Sequence, residues 1–188
     1  MIKQTQETLE KYLAYFPQER GLFEILEGQL TAKEDVLSRK NFNGHITASG
    51  LVMSPDGKVL VIFHNKLQRY LQPGGHIESV DTNLVDSARR EVMEETGLRD
   101  LVLYPWCLET GLPISIDTHP IPENKNKNEA KHYHHDHMFV FYVQDETIAL
   151  DLTEVSDFKW IDMDTLAHND SAFAKALRNL EMINIASK

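Results

Sequence analysis

The chain has 188 residues, of which 41% are hydrophobic and 26% charged, and its formal net charge is −10 at pH 7. This length and balance are typical of one globular unit with a sizeable core. The acidity argues against binding to a nucleic-acid duplex, because phosphate backbones are held by clusters of Lys and Arg. A small anionic ligand can still be bound if cations bridge it to the protein.

The single cysteine, Cys107, permits no intramolecular disulfide and favours a reducing compartment. The N-terminal sequence lacks the apolar segment of a signal peptide, and the longest apolar runs are too short to span a membrane. We therefore expect a cytoplasmic protein with no membrane contact. The sequence gives no indication of the oligomeric state.

Residues 1–43 predict a helical extension. Apolar residues recur there at helical spacing up to Pro17, and Thr31 with Glu34 fits a capping box that would open a further short helix. We expect this extension to pack on a main domain that we place at residues 44–188.

From residue 45 the apolar pattern becomes that of strands. The runs 46–54 and 58–64 flank the turn Pro55-Asp56-Gly57 and predict a hairpin. Further strands are predicted at 101–109, 112–119, 132–144 and 157–162, a polar loop at 122–131, and a C-terminal helix from about 170 to 184. These elements predict an α/β (α+β) fold, in which helices sandwich a mixed β-sheet.

The segment 73–98, PGGHIESVDTNLVDSARREVMEETGL, predicts a loop followed by a helix of about four turns. Asp81 or Thr82 is the expected N-cap, and Gly97 is expected just past the C-terminal end.

Three acids of this helix lie close together at the edge of its buried stripe. At about 100° per residue, Glu91, Glu94 and Glu95 fall within an arc of about 100°. Like charges at this spacing, near the C-terminal end of a helix, are locally unfavourable. A divalent cation would reverse that, and Mg²⁺ is a hard ion that suits both carboxylates and substrate phosphates.

The same segment resembles the Nudix box, the signature of the Nudix hydrolase family. The box reads Gly, five residues, Glu, seven residues, Arg-Glu, an aliphatic residue, any residue, Glu-Glu, any residue, Gly and an aliphatic residue. Gly75 matches its first glycine, and its second half is matched without a gap by Arg90, Glu91, Val92, Glu94, Glu95, Gly97 and Leu98. The first acidic position is Asp81 instead of Glu, and one extra residue precedes Arg90, around 82–84.

The resemblance implies the sandwich fold and the hydrolysis of a nucleoside diphosphate linked to another group X. It also implies a Mg²⁺ cofactor, with Mn²⁺ as a substitute. Phosphoanhydride cleavage requires metal to neutralise phosphate charge and to activate water, so the acid-rich helix is compatible with this chemistry.

The resemblance further implies roles for the box residues. Glu91 and Glu95 are the expected metal ligands, and Glu94 is either a third ligand or the general base. The backbone carbonyl of Gly75 is expected to contact a metal.

Arg90 is expected to orient a box carboxylate through a charge-assisted pair, with Asp81 as its partner. Glu154 is a further candidate, because family members often supply an extra acidic residue from a later loop.

Histidines are concentrated in the run HYHHDH at 132–137. In a strand, His132, His134 and Asp136 share one face. Imidazoles beside an aspartate can bind a transition metal when neutral, or a phosphate when protonated, or they can simply form a polar strand entrance.

We take His134 and Asp136 as candidates for substrate contact, because this run and the segment 117–122 together resemble one poorly characterised group of Nudix proteins. His119 and His64 are further candidates of the same kind.

A non-catalytic module that senses nucleotides is the alternative function. Nudix-like domains of that kind have lost box glutamates, whereas this chain keeps all three.

Overall fold

The computed structural model describes residues 2–125, 128–169 and 171–186. Within these ranges the helices are α1 (Ile2–Tyr15), α2 (Glu24–Thr31), α3 (Leu84–Thr96), α4 (Pro105–Thr110), α5 (Met163–Asn169) and α6 (Ser171–Ala186), and a 3-10 helix spans Pro17–Leu22. The strands are β1 (His45–Met53), β2 (Lys58–His64), β3 (Arg69–Leu71), β4 (Gly74–His76), β5 (Val102–Leu103), β6 (Ser115–Ile121), β7 (His132–Tyr142) and β8 (Val155–Asp162).

The eight strands of the described residues form one mixed sheet. Its centre is the parallel pair β1 and β7, in register from His45 opposite His134 to Met53 opposite Tyr142. The strand β4 pairs with the side of β1 that faces away from β7, and β6 pairs with β7. The strand β2 pairs with both β3 and β8. All of these pairs are antiparallel. This arrangement confirms the predicted α/β fold with a mixed sheet.

Helices cover both faces of the sheet, as the alternation of side chains along β1 shows. Ala48 and Val52 pack in the apolar core that contains Ala88 and Val92 of α3. Leu51 and Met53 lie in the other core, which also contains residues of α1, α2 and α6. The period of two along the strand therefore divides the interior into two cores.

Two local predictions were wrong. Thr31 opens no new helix: it is the last residue of α2, and its hydroxyl donates to the Glu27 carbonyl (2.8 Å). The expected strand 101–109 stops after β5, because Pro105 opens α4, where its missing N–H costs nothing. The segment predicted as a loop at 122–131 contains an isolated β-bridge between Asn124 and Glu129, and its residues 126 and 127 lie outside the described ranges.

A buried polar network connects the N-terminal helices to α6. The Tyr12 hydroxyl donates to Glu19 (2.7 Å), and the Asn179 side-chain nitrogen lies within 2.9–3.1 Å of Glu19, Tyr12 and the Ile114 carbonyl. The Lys175 ammonium lies 3.9 Å from the same Glu19 carboxylate. The division of the chain at residue 43 stays a prediction, but residues 12 and 19 share a core with the C-terminal helix.

We expect Asn179→Ala to lower the free energy of unfolding by about 2–3 kcal/mol, because it leaves the buried Glu19 carboxylate and the Ile114 carbonyl short of a donor. Urea denaturation followed by circular dichroism measures this. Arg178→Ala, at the exposed neighbouring position of α6, is the matched control and should stay within about 0.5 kcal/mol of the parent. Equal stabilities of the two variants would contradict the network's role.

Candidate active site

The helix α3 carries the acidic cluster, and its two ends are fixed by local chemistry. Asn83 is the N-cap, since its side chain accepts a hydrogen bond from the Asp86 N–H (2.9 Å). The predicted N-cap at Asp81 or Thr82 was therefore wrong. At the other end Gly97 has φ 73°, the left-handed value that favours glycine, and a Cβ there would lie 2.9 Å from Ala149.

Glu91 and Glu95 are turned toward β4, and the lack of a side chain at Gly75 allows the close approach of Glu91. A Cβ on Gly75 would lie 2.6 Å from the Glu91 carboxylate, so only glycine fits there without a shift. The Gly74 N–H donates to the Glu95 carboxylate (2.9 Å), and Glu95 is only 3% exposed. The loop backbone and the two carboxylates thus form one continuous oxygen-rich surface.

Burial raises the pKa values of both acids. The pKa of Glu91 rises to about 7, although the Arg90 guanidinium works against the shift. The pKa of Glu95 rises to about 8, although the hydrogen bond from the Gly74 N–H opposes the rise. The charges of Glu94 and Glu154 raise both values further. The negative charge gathered here exceeds what the surrounding donors neutralise.

Arg90 connects the loop to the acids. Its Nε and Nη2 donate to the two oxygens of Asp81 (2.9 Å each), and Nη2 also donates to the His76 carbonyl (2.8 Å). Its Nη1 donates to Glu91 (2.9 Å) and Glu94 (3.0 Å). Burial alone would raise the pKa of Asp81, but the hydrogen bonds from Arg90 lower it. One guanidinium therefore holds the loop and two box carboxylates together.

Asp81 lies in the loop before α3, which is helical from Leu84 to Thr96, so the extra residue of this chain does not interrupt the helix that carries the acids. The Asp81 carboxylate also accepts a hydrogen bond from the Glu78 N–H (2.7 Å). The shorter Asp side chain still reaches Arg90 with both oxygens.

Glu94 and Glu154 are the exposed acids that act on the buried part of the cluster. The Glu94 side chain is more than half exposed and contacts Arg90. The carboxylate of Glu154 lies 4.0 Å from the Lys66 ammonium, and its charge acts on Glu91, Glu95 and His64. Burial lowers the pKa of His64, while the charge of Glu154 raises it. The structure therefore places Glu154 within electrostatic range of the box acids, and His64 within range of Glu154.

His134, Asp136 and His119 lie on a different face from Glu91. Asp136 accepts hydrogen bonds from Thr47 (2.9 Å), Ser49 (2.6 Å) and Gln72 (3.2 Å), and it is buried. The ring of His119 pairs with Asp117 (2.9 Å) and lies 5.8 Å from the ring of His134.

Two histidines that the sequence did not single out join this group. The rings of His45 and His76 lie 4.7 Å and 5.2 Å from the ring of His134. The alternation along β4 could have indicated His76, because it must point away from the face of Gly75. His45 depends on the pairing of β1 with β7, which the sequence alone does not reveal.

A profile of the family described as NUDIX domain matches residues 44–180, well over half of the chain. The chain belongs to the Nudix hydrolase family. The acidic cluster on α3 is thus the Nudix box of this protein. No curated protein sequence is significantly similar to the chain.

Solved structures of Nudix proteins share the fold. A NUDIX-family hydrolase from Clostridium perfringens superposes with a TM-score of 0.54 at 24% identity, covering 74% of this chain and 97% of that one. A C. elegans Ap4A hydrolase binary complex gives 0.53 at 16% identity, with 75% and 98% covered. A MutT protein from Methanosarcina mazei Go1 gives 0.53 at 18% identity, with 75% and 96% covered.

We expect buried Glu95 to destabilise the metal-free protein, relative to a Glu95→Gln variant, as the pH rises from 4.5 to 8. The pKa of Glu95 is near 4.5 when unfolded but near 8 when folded, so this group holds its proton longer in the folded chain. Histidines whose pKa burial lowers, such as His134, act in the opposite direction in the parent and the variant alike, so the difference between the two profiles isolates Glu95. Urea denaturation in a chelator should show the parent losing about 3 kcal/mol more than Glu95→Gln over this interval, whereas the exposed Glu109→Gln should follow the parent. Equal slopes for the parent and Glu95→Gln would contradict this.

We expect Asp81→Asn to weaken the binding of Mn²⁺, titrated by electron paramagnetic resonance, by about 10–100-fold. The variant removes the charge that holds Arg90, which then no longer fixes Glu91 and Glu94. Asp100→Asn, at an exposed position, is the control and should bind Mn²⁺ as the parent does. Unchanged affinity in Asp81→Asn would separate the Asp81–Arg90 pair from the metal site.

Proposed function

We propose that the protein is a Mg²⁺-dependent Nudix pyrophosphohydrolase, with Mn²⁺ as a possible substitute. It would cleave a phosphoanhydride bond in a nucleoside diphosphate linked to another group X. The observation that carries this proposal is the pair of carboxylates of half-buried Glu91 and buried Glu95, held against the backbone of Gly75 and Gly74.

The residues present fit a hard divalent cation. The carboxylates of Glu91 and Glu95 and the carbonyl of Gly75 are oxygen donors of the kind that Mg²⁺ and Mn²⁺ prefer. Burial raises the pKa values of both acids, and a bound cation would stabilise their charged forms. The close approach of the loop at Gly75 leaves no room for a side chain between loop and acid. Bound there, the metal would neutralise phosphate charge and lower the pKa of a coordinated water.

The chain's own residues would prepare this centre. Arg90 fixes the orientations of Glu91 and Glu94, and the Gly74 N–H fixes that of Glu95. Glu94 is exposed enough to meet a solvent water, so it can serve as general base or as a third ligand. Glu154 is a further candidate base, since its charge is felt by both buried acids.

The net charge of −10 supports a dependence on cations for substrate binding. A polyphosphate would otherwise meet a repulsive surface at the acidic cluster. The proposed partner is therefore a small nucleotide-type diphosphate and not a nucleic-acid duplex. The described helices include none that could cross a bilayer. A site of action in the cytoplasm is part of the proposal, supported by the single buried cysteine.

Named activities of structural relatives support the substrate class. One relative is an Ap4A hydrolase, and another, at a TM-score of 0.50 and 16% identity, is a dihydroneopterin triphosphate pyrophosphohydrolase from E. coli. Both names describe compounds in which phosphates are joined by anhydride bonds. We therefore propose that the substrate is a small compound whose phosphates are joined by such bonds.

We expect hydrolysis in the presence of Mg²⁺ when the protein is incubated with nucleoside triphosphates, nucleotide sugars, dinucleotides and ADP-ribose. Product release is measured by chromatography. Glu91→Gln and Glu95→Gln should each lower kcat by about 10²–10³, because each removes a charge that would bind the metal. Glu109→Gln should leave kcat unchanged.

Glu94→Gln distinguishes the two roles of Glu94. A general base would show a loss of kcat with unchanged Mn²⁺ affinity, whereas a metal ligand would lose both. If no panel member is cleaved with Mg²⁺ or Mn²⁺, and Glu94→Gln still binds a nucleotide as the parent does, the protein is instead a nucleotide-sensing module.

A further inference from the structure

Three histidines from three strands meet on the side of β4 away from the Nudix box. His45 lies on β1, His76 on β4 and His134 on β7. Each offers one ring nitrogen, and these three atoms all lie within 4.8 Å of one another. The strand pairing explains the meeting, because His45 lies opposite His134, and Thr47, two residues along β1, lies opposite His76. We call this group the histidine triad.

Hydrogen bonding leaves His45 with a lone pair available for a ligand. Its Nδ1 lies 3.1 Å from the Asn41 carbonyl, which can only accept, so Nδ1 carries the proton. Its Nε2 is therefore unprotonated, and it is buried with no hydrogen-bond partner in the described part of the chain. A histidine that donates one N–H to a backbone carbonyl and presents the other nitrogen bare is typical of metal ligands.

The protonation of the His134 ring follows in the same way from its contact with the neighbouring ring of His132. The Nδ1 of His132 lies 2.7 Å from the Ala130 carbonyl and so carries a proton, which leaves its Nε2 as an acceptor. The Nε2 of His134 lies 3.2 Å from that acceptor and donates to it. The Nδ1 of His134 is then unprotonated. The hydrogen bonds thus leave one ring nitrogen unprotonated in His45 and one in His134.

From this geometry we infer that the histidine triad is a second metal site, for a transition metal such as Zn²⁺, distinct from the Mg²⁺ site of the box. Imidazole nitrogens suit Zn²⁺ and its neighbours, whereas Mg²⁺ prefers oxygen. Three protein ligands would leave a fourth position open to water or another small ligand. His76 and His134 are half-buried, so solvent can reach the site from their side.

The three ring nitrogens would have to move closer together to bind one metal ion. Bonds of about 2.0–2.1 Å in a tetrahedron set nitrogen–nitrogen separations near 3.3 Å. The triad nitrogens, at up to 4.8 Å, would close by rotation of the rings.

The alternative ligand, a phosphate, does not fit this cluster. Burial, together with the charges that the neighbouring histidines would carry, lowers the pKa of His134 to about 2, and burial lowers the pKa of His45. These rings are therefore neutral at physiological pH and offer an anion no charge. Neutral rings are the form that binds a metal ion without first losing a proton.

The triad and the box are separate sites that share one strand. Gly75 faces Glu91, so the neighbouring His76 side chain points to the opposite face of β4. The His76 carbonyl accepts a hydrogen bond from Arg90 (2.8 Å). Metal at the triad would therefore fix the strand on which the box carboxylates rest.

Titration of the metal-free full-length protein with Co²⁺ tests this inference without using any substrate. Four-coordinate Co²⁺ absorbs visible light far more strongly than octahedral Co²⁺, so the spectrum separates an imidazole site from a carboxylate site. We expect a strong visible band that saturates at one equivalent, disappears on addition of Zn²⁺ and persists in excess Mg²⁺.

Matched variants identify the residues that bind the Co²⁺ ion responsible for the band. His76→Gln and His134→Gln should each weaken Co²⁺ binding more than about tenfold. His64→Gln, which removes a histidine elsewhere, and Glu95→Gln, which alters the box, should keep the band. Far-ultraviolet circular dichroism checks that each variant is folded, and the half-buried His76 position gives a usable variant if His134→Gln fails to fold.

The inference is overturned if the parent protein shows no such band, if a folded His76→Gln keeps it, or if Glu95→Gln abolishes it. The last result would assign the ion to the box. A failure of the proposed hydrolase activity would not affect this outcome, because the readout is the spectrum of the bound ion.

Discussion

The position of Arg90 controls the geometry of the candidate active site. Its guanidinium contacts the loop, the start of the acidic cluster and the strand β4 together. A planar fork with several fixed donors can satisfy Asp81 with two hydrogen bonds and still reach Glu91 and Glu94, which a lysine cannot do. Glu91 depends on this cation for part of its charge compensation, whereas Glu95 relies on the hydrogen bond from the Gly74 N–H.

The charges of the two acids are only partly compensated, and this lowers the stability of the fold at the site proposed to bind a cation. Glu91 and Glu95 lose solvent on folding, and one guanidinium with one N–H does not restore it, so their pKa values stay near 7 and 8. A fold under selection for stability alone would replace such acids with apolar residues. Keeping them is understandable if a cation completes the site, because local rules are usually broken at functional positions.

Local patterns were sufficient to predict the box helix. Features that depend on the pairing of strands far apart in sequence could not be predicted. The spacing of Glu91, Glu94 and Glu95 on one helix depends only on the helical period, so the sequence was sufficient for it. The N-cap was missed because the Asp81 carboxylate pairs with Arg90, which leaves Asn83 to cap the helix. The histidine triad depends on strand partners far apart in sequence, and no periodicity in the chain encodes that register.

The strand β4 shows how three residues can serve two sites. The Gly74 N–H holds Glu95, the bare Cα of Gly75 admits Glu91, and the His76 carbonyl holds Arg90. The His76 side chain points the other way, into the triad. Because a strand alternates its side chains but keeps one backbone, the ring that faces the triad and the carbonyl that Arg90 binds belong to the same residue. A ligand that fixed the His76 side chain would therefore also restrain the backbone on which Arg90 rests.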